Sequence, residues 1–409
     1  MKRSTLTAFV LLLATTGLHA QSTTGALDDV RATLASFGVA LDEAATSRAA
    51  RLAAVRTIDP RADWISDEDW AREQADRAGK RWRPDFRLAM TNGLPVIASL
   101  PTNGTTAATD LAPGDRITGI ATQTFTRIAL PEALRQLGTG AATSITLRTV
   151  RGERTATVSV ARGWIDEPPV ETIDLLPNDI GYIKINGLYP GSGRDVVSRI
   201  RAWSEGQRVG MILDLRGAGG DDLAAVTQIA SLFARGGQFL FAFRDHHQQD
   251  VASYRATEGY PVSQPVMVLV DGDTRGAAEV LAAVINGANR RALLIGTATR
   301  GDFLLREPVA FGNERMFFAT KVIDTADGLR YTGQAGVEPA IPLTPAELDT
   351  RDYEPPPDLL DRRGQLDVEL RDAAVRRRVR GDGALERAVD MIVGLKSLNN
   401  DGGTVSSSP

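Results

Sequence analysis

The sequence lacks cysteine altogether and is poor in histidine and lysine. Without cysteine the chain can form no disulfide, cysteine-ligated zinc site, iron–sulfur cluster or thiol nucleophile. Its three histidines and few lysines restrict the general acids and bases available for catalysis. The formal net charge of -4, from 47 basic and 51 acidic residues, gives no positive footprint for nucleic acid. The 409 residues, 43% hydrophobic and 24% charged, are typical of a globular protein with two or three domains.

The first 20 residues have the pattern of a secretory signal peptide. Lys2 and Arg3 precede a short apolar run over residues 8–14, and Ala20 closes a small-residue cleavage site. We therefore expect an exported protein, periplasmic or secreted, whose signal peptide is cleaved near Ala20. The alternative is an uncleaved anchor, although the apolar run is short for a membrane span.

The pattern of apolar residues divides the remaining chain into five parts. Periodicity predicts a helical N-terminal region over residues 21–84, in which Ser66 is an N-cap. Residues 85–162 predict a small β module, with strands over 94–100, 116–120, 144–150 and 154–160 and a helix over 131–137. Residues 163–350 predict an α/β core, residues 351–398 a helical C-terminal extension, and residues 399–409 a disordered tail.

The predicted core alternates strands with helices. The strands are expected over residues 180–185, 209–215, 238–243, 266–270 and 292–295. The helices are expected over residues 195–206, 223–234 and 277–285. Such alternation indicates an α/β domain with a largely parallel sheet.

Four motifs occur in order along the chain. They are IDPRADWIS (58–66), LAPGDRI (111–117), GYIKI with ILDLRG (181–185 and 212–217), and GQAGVEP (333–339). Together they resemble the C-terminal processing peptidases, the tail-specific serine peptidases of family S41, and DGALERAVDM (382–391) is similar to the family's final helix. The resemblance, over roughly residues 30–395, implies an S41-type core of ClpP/crotonase-like βα units with an inserted PDZ-like module over residues 85–162.

The family uses a serine–lysine dyad with a backbone oxyanion hole, and the resemblance implies where each part would lie. Aligned on Glu279, the nucleophile position holds Gly276, which has no side chain. The lysine position holds Asp302, and the family's glutamine position holds Arg306.

The oxyanion loop corresponds to RGAGG (216–220), which includes Gly219 and Gly220 and is one residue shorter than the family pattern. A shifted alignment does not restore the dyad. No serine occurs between Ser263 and Ser397, and no lysine occurs from residue 185 to residue 320. The resemblance therefore implies a peptidase fold without an intact catalytic site.

Other side chains could still supply chemistry. Thr274 is the only hydroxyl beside the helix start, and Asp302 or the pair His246-His247 could activate it. Otherwise Thr274 forms an ordinary hydrogen bond at the helix start. The histidine pair would need carboxylates to complete a metal site, so we expect no metal and no cofactor.

Acidic residues crowd the former site; they are Asp271, Asp273, Glu279 and Asp302. Such a group could raise the pKa values of its members or recruit a cation. The simpler expectation is that Asp271 caps a turn and that Asp302 pairs with Arg275 or Arg300.

A PDZ-like module has no need of the dyad, because it captures a peptide C-terminus by adding it to a sheet edge. The resemblance implies peptide contacts in the loop over residues 91–97, at Gly93, Leu94, Val96 and Ile97. Pro95 removes one donor from this loop, so a purely structural module is the alternative.

The sequence thus predicts an exported, S41-like pseudopeptidase that acts as a binding or scaffold protein. Its partners would be polypeptide C-termini or an envelope protein, and it could form homo-oligomers. Two alternatives stay open: an active serine-type endopeptidase with a rearranged site, and a regulatory partner of an active paralogue.

Overall fold

The structure is a computed structural model that describes residues 23–91, 93–101, 103–106, 109–126, 128, 130–206, 208–257, 262–288, 292–344, 347 and 382–401. The predicted signal peptide, the C-terminal extension up to residue 381 and the tail from residue 402 lie outside the described residues. The chain forms two compact units, Met1–Pro60 and Arg61–Pro409. Among the helices of the described residues, none is long and apolar enough to cross a membrane.

The first unit contains two helices, α1 (Thr23–Ser36) and α2 (Glu43–Arg56). The Asp42 carboxylate caps α2 by accepting a hydrogen bond from the N–H of Ala45 at 3.0 Å. The predicted periodicity is interrupted between the helices, where Gly38 has a φ of 72° that favours glycine.

The second unit begins with a strand, β1 (Asp63–Ile65), a helix, α3 (Asp67–Arg77), and a second strand, β2 (Lys80–Arg83). Ser66 caps α3 by accepting from the N–H of Asp69 at 3.0 Å, as its place in the sequence predicted. The strands show that the predicted helical region over residues 21–84 is not helical throughout. β1 pairs with residues 315–317 and β2 with residues 163–166.

The small β module follows. Its elements are β3 (Arg87–Thr91), β4 (Leu94–Ser99), β5 (Arg116–Ile120), β6 (Gln123–Thr124), α4 (Leu130–Gly138), β7 (Ser144–Arg151) and β8 (Arg154–Ala161). The sheet runs in the order β3-β4-β5-β7-β8, with every neighbouring pair antiparallel. Alternate residues such as Ile97, Ile117 and Leu147 enclose a separate apolar core beneath α4. The Asp115 carboxylate fixes the preceding turn by accepting from the Ala112 N–H and the Arg151 guanidinium.

The α/β core contains the remaining elements. Its strands are β9 (Gly163–Asp166), β10 (Val170–Leu176), β11 (Ile180–Ile185), β12 (Gly187–Leu188), β13 (Gly210–Asp214), β14 (Gly219–Gly220), β15 (Phe239–Asp245), β16 (Asp250–Arg255), β17 (Val266–Val270), β18 (Ala292–Gly296), β19 (Arg306–Phe311), β20 (Glu314–Ala319), β21 (Lys321–Thr325), β22 (Arg330–Tyr331) and β23 (Ile341–Pro342). Its helices are α5 (Ser192–Glu205), α6 (Leu223–Ala230), α7 (Gly276–Ala288) and, after a gap in the described residues, α8 (Gly383–Asp401).

The main sheet of the core runs in the order β10-β11-β13-β17-β18-β23. Its first pair is antiparallel and the other pairs are parallel, which confirms the predicted α/β fold. Successive residues point to opposite faces of the sheet. In β17, Val266, Val268 and Val270 pack toward the layer that contains α5, α6 and α7, whereas Met267 and Leu269 pack toward α8. Both faces of the central strands are therefore covered, as their uninterrupted apolar sequences require.

A buried charge network fastens α8 to this sheet. Asp214, at the end of β13, is buried and accepts from the Tyr182 hydroxyl at 2.9 Å and the Arg216 guanidinium at 2.6 Å. The same guanidinium donates to Asp382 at 2.9 and 2.7 Å, and Asp382 accepts from the Leu385 N–H at the start of α8. Burial alone would raise the pKa of Asp214, but Arg216 and Lys184 hold that pKa well below its ordinary value.

We predict that Asp214→Asn lowers the free energy of unfolding by about 3–5 kcal/mol at pH 7, because Arg216 loses its buried counterion. A carboxylate with a lowered native pKa stabilises the fold above its unfolded pKa of about 3.9 and loses that effect as the pH falls. Urea unfolding of both proteins at several pH values should therefore show a constant difference above pH ~5 that shrinks below pH ~4. Asp390→Asn, on the exposed face of α8, serves as the control. An equal effect of the two substitutions would contradict the role of the network.

Candidate functional site

Three loops meet at one edge of the main sheet. Residues 215–218 follow β13, residues 271–275 follow β17, and residues 297–305 follow β18. Because these strands are parallel and adjacent, their carboxyl ends lie side by side, where α/β proteins place ligands and catalytic groups. The positions singled out from the sequence, Gly219, Gly220, Gly276 and Asp302, are all on or beside these loops.

Gly276 opens α7 with a φ of 58°, in the left-handed region that favours glycine. A Cβ atom built on Gly276 would lie 2.6 Å from the carbonyl oxygen of Gly220 and 3.4 Å from Leu304 Cδ2. The first distance is well inside van der Waals contact. A side chain at residue 276 therefore requires the backbone of Gly220 to move.

Gly220 is itself held in place. It has a φ of 99°, and β14 pairs in parallel with β12 at Gly187 and Leu188. A Cβ at Gly220 would overlap the Leu188 carbonyl, so the two short strands are at closest approach. The backbone beside Gly276 is thus wedged between α7 and β12.

The Arg275 side chain covers the glycine loop. Its guanidinium donates to Asp76 of α3 at 2.5 and 3.1 Å, and more weakly to the carbonyl oxygens of Gly217 and Asp273. The guanidinium carbon would lie 3.3 Å from a Cβ at Gly219. A buried arginine paired with a carboxylate therefore occupies the space against this loop.

The predicted pairing of Asp302 with Arg275 or Arg300 is wrong. Arg275 pairs with Asp76 instead, and Arg300 pairs with Asp273 at 3.1 Å. Within the described part of the chain, Asp302 has no ion-pair partner. The reason is distance along the chain: α3 brings a carboxylate from a segment 199 residues away.

Glu279 organises the loop that carries Asp302. The buried Glu279 carboxylate accepts from the N–H groups of Asp302 at 2.7 Å and Phe303 at 3.0 Å. It also accepts short hydrogen bonds from the Gly301 N–H and the Thr299 hydroxyl. Burial raises the pKa of Glu279 above its ordinary value, against the opposing effect of these four donors.

The four donors fix an unusual backbone. Phe303 and Leu304 have φ values of 48° and 59°, which non-glycine residues seldom adopt. Asp302 is held through its backbone N–H, while its carboxylate is only partly buried. The residue at the family's lysine position is therefore fixed by its main chain.

Arg306 is also structural in its contacts. Its guanidinium is buried and donates to the carbonyl oxygens of Gly333 at 2.8 Å and Gly301 at 3.3 Å. These bonds tie the loop after β18 to the GQAGVEP segment. A further tie is the Val337 N–H, which donates to the Thr299 hydroxyl at 2.7 Å.

Thr274 is fully buried and its hydroxyl is occupied. It lies 2.9 Å from the Leu215 carbonyl oxygen and accepts from the Asp271 N–H at 3.0 Å. These bonds join the loop after β17 to the end of β13. Asp271 accepts from the N–H groups of Gly217, Asp273 and Thr274, which confirms it as a turn cap.

The histidine pair lies in the turn between β15 and β16. His246 Nε2 is 3.2 Å from the Ala319 carbonyl oxygen. Across the residues that the structure describes, no group of three or more His, Cys, Asp or Glu side chains is placed to hold a metal ion.

The peptide-contact positions Gly93, Leu94, Val96 and Ile97 fall at the start of β4. This strand lies between β3 and β5, and the N–H of Ile97 donates to the Asp115 carbonyl oxygen. An incoming strand cannot pair with β4, because β4 has neighbours on both sides. The available edge of this sheet is β3, beside which α4 packs.

Sequence reasoning missed the groups that fix the site. Asp76, Arg275 and the Gly220 carbonyl had no signal in the sequence, because their importance follows from contacts between distant segments. Glu279 did have a signal, since it stands in the buried AAE sequence at the start of α7, but its four donors are backbone groups of another loop.

The comparisons with known proteins come from several directions. Residues 179–343 match the family described as Peptidase family S41. Curated relatives include the carboxyl-terminal-processing peptidase 2, chloroplastic, of Arabidopsis thaliana, 26% identical over 216 residues (51% of this chain, 42% of the relative). Another is the carboxyl-terminal-processing protease of Picosynechococcus sp., 29% identical over 218 residues (52% of this chain, 51% of the relative). The chain spans about half the length of these relatives.

Among solved structures, the photosystem II D1 C-terminal processing protease is 21% identical and has a TM-score of 0.46. The match covers 76% of this chain and 84% of that one. A putative S41 protease from Bacteroides fragilis is 18% identical, with a TM-score of 0.44, over 69% of this chain and 78% of that one.

We predict that Gly276→Ala destabilises the protein more than Gly152→Ala does. Both glycines have nearly the same φ, 58° and 59°, but a Cβ at Gly152 meets nothing within 4 Å. The left-handed backbone costs both variants about 1–2 kcal/mol, and the overlap with Gly220 should cost Gly276→Ala about 1–3 kcal/mol more. Chemical denaturation of the two variants measures the difference, and equal losses would show that residue 276 has room for a side chain.

We predict that Glu279→Gln lowers the free energy of unfolding by about 2–4 kcal/mol, because an amide nitrogen cannot accept the hydrogen bonds that the carboxylate accepts. Thermal or urea unfolding provides the measurement. Glu153→Gln, in the exposed turn between β7 and β8, should change stability by no more than about 0.5 kcal/mol. A Glu279→Gln variant as stable as this control would refute the anchoring role of Glu279.

Proposed function

We propose that this chain, whose core over residues 179–343 belongs to the S41 peptidase family, binds polypeptide without cleaving it. The observation that carries the proposal is the 2.6 Å distance between a Cβ at residue 276 and the Gly220 carbonyl oxygen. Acyl transfer by a serine peptidase requires a nucleophile beside oxyanion donors. Here the nucleophile position holds glycine in a backbone that leaves no room for a serine side chain.

The loss extends beyond the nucleophile. Asp302 stands at the lysine position, and an acid that is negatively charged near neutral pH differs in charge from the family's lysine. Arg275 covers the glycine loop and is held there by Asp76. Thr274 has its hydroxyl bonded to main-chain groups and has no base among its printed contacts, which argues against the rearranged-site alternative.

Polypeptide is the proposed ligand class for two reasons. The names of the curated relatives describe proteins that process carboxyl termini. The small β module, which we propose to be PDZ-like, offers β3 as an edge strand beside α4. Adding a peptide strand to such an edge gives main-chain hydrogen bonds, while side chains enter the neighbouring groove.

The site of action that we propose is outside the cytoplasm. The charged start, short apolar run and small-residue site of residues 1–20 support export. An exported protein of this kind would meet the unfolded tails of envelope proteins.

We predict that the purified protein binds a fluorescently labelled unfolded polypeptide with an apolar C-terminus, as measured by fluorescence anisotropy. Leu88→Asn, in β3, should weaken binding roughly tenfold by placing a polar amide at the proposed groove. Val158→Asn is the matched control, because Val158 is also half-buried against the module's core but lies on β8, at the opposite edge of the sheet.

Binding that survives in Val158→Asn and weakens in Leu88→Asn supports strand addition at β3. Equal weakening in both variants would assign the effect to lost stability of the module. Absence of binding by the unmodified protein would contradict the proposed function.

A further inference from the structure

A cleft of about 250 Å³ lies beside the glycine loop, and we call it the side cleft. Six of its lining residues carry the argument: Arg77, Asp221, Phe243, Ala252, Tyr254 and Leu304. Leu304 also contacts the space next to Gly276, so the side cleft adjoins the closed site. Its volume suits one amino-acid side chain with the adjoining backbone rather than a larger ligand.

One wall of the side cleft is apolar and rigid. Phe243 and Leu304 are buried, and the backbone that carries Leu304 is fixed by the Glu279 carboxylate. Tyr254 stacks on Phe241 with ring centroids 4.4 Å apart. Such a preformed wall can receive an apolar side chain with little loss of conformational entropy.

A second wall is an exposed strand edge. Among the described strands, β16 pairs only with β15, so it ends its four-stranded sheet. Its residues alternate between exposed and half-buried, and Ala252 and Tyr254 are half-buried toward the side cleft. An edge strand presents unpaired N–H and C=O groups that an extended polypeptide can match.

Arg77 supplies an unmatched donor. Its Nε donates to Glu73 at 2.8 Å, and its guanidinium lies over the rings of Trp70 and Phe317 at 5.5 and 5.8 Å. One terminal nitrogen, Nη2, is buried without a hydrogen-bond partner in the described part of the chain. A buried donor of this kind is unfavourable until an acceptor reaches it.

The charges of the side cleft complement a polypeptide better than a simple anion. Asp221 lies at its exposed rim and has no ion pair among the described residues, so a strongly acidic ligand would be repelled. A polypeptide offers an acceptor oxygen to Arg77 and N–H donors to the acidic rim. The acceptor can be a terminal carboxylate or an internal carbonyl.

We propose that the side cleft binds an extended polypeptide segment that adds to β16, places one apolar side chain against Phe243 and Leu304, and gives an oxygen acceptor to Arg77. The proposal rests on the proposed function for its ligand class. It assigns that ligand a second contact, on the core, that is separate from the β3 edge of the small module.

The test uses a labelled octapeptide ending Ala-Leu-Ala, too short to reach both edges, on the full chain. Its free acid, its C-terminal amide and a version extended by Gly-Ser at the C-terminus distinguish a terminal carboxylate from an internal carbonyl. We expect Ala252→Trp, which fills the side cleft, to weaken anisotropy-measured binding at least tenfold. Arg77→Gln should weaken it roughly tenfold, with partial rescue by Arg77→Lys.

Arg154→Gln, at an exposed position of β8, is the matched control and should alter affinity less than twofold. Octapeptide binding that is unaffected by Ala252→Trp, or equally weakened by Arg154→Gln, would overturn the proposal. The two proposals fail in different ways. Long-polypeptide binding that depends on Leu88 but not on Ala252 refutes only the side cleft, whereas no binding of either ligand refutes the proposed function itself.

Discussion

The carbonyl oxygen of Gly220 determines what residue 276 can be. It lies where the first atom of any side chain at 276 would have to be placed, and β12 prevents it from withdrawing. Protein interiors are close-packed, so a contact of this kind is relieved only by moving backbone. The absence of a nucleophile is therefore built into the fold around α7, and not only into the identity of one residue.

Buried carboxylates hold the surrounding loops in the same arrangement. Glu279 gathers main-chain donors from the loop after β18, and Asp214 gathers Tyr182, Arg216 and Lys184 at the end of β13. Burial alone would disfavour both charges, and the surrounding hydrogen bonds and cations compensate for it. Asp76 does the same for Arg275, so three loops of the former reaction site are fixed by ionic contacts. Rigidity of this kind suits a surface that binds a chain and leaves it intact.

Much of the core could be predicted from its sequence because local pattern and tertiary role agree there. The uninterrupted apolar run of β17 and the helix after it gave Val266–Val270 and the start of α7 within a residue. The β19–β20 hairpin was missed, since Pro308 and scattered charges hide its alternation. The N-cap of α3 was predictable because Ser66 and Asp69 are neighbours in the chain. The partner of Arg275 was not, because only the folded chain brings Asp76 to it.

The candidate site was predictable as a set of positions but not as an arrangement. Sequence alone located Gly276, Asp302 and the glycine loop, while the space around residue 276 depends on how β14 meets β12. The edge available to a peptide depended likewise on strand order, which moved it from β4 to β3.

Hydrolysis itself tests the closed site most directly. The purified protein and its Thr274→Ala variant would be incubated with an unfolded, apolar-tailed polypeptide and followed by mass spectrometry. A closed site predicts that the polypeptide keeps its full mass with both proteins, even where it binds. Fragments that form with the unmodified protein and disappear with Thr274→Ala would contradict it, since they would identify a working nucleophile beside Gly276.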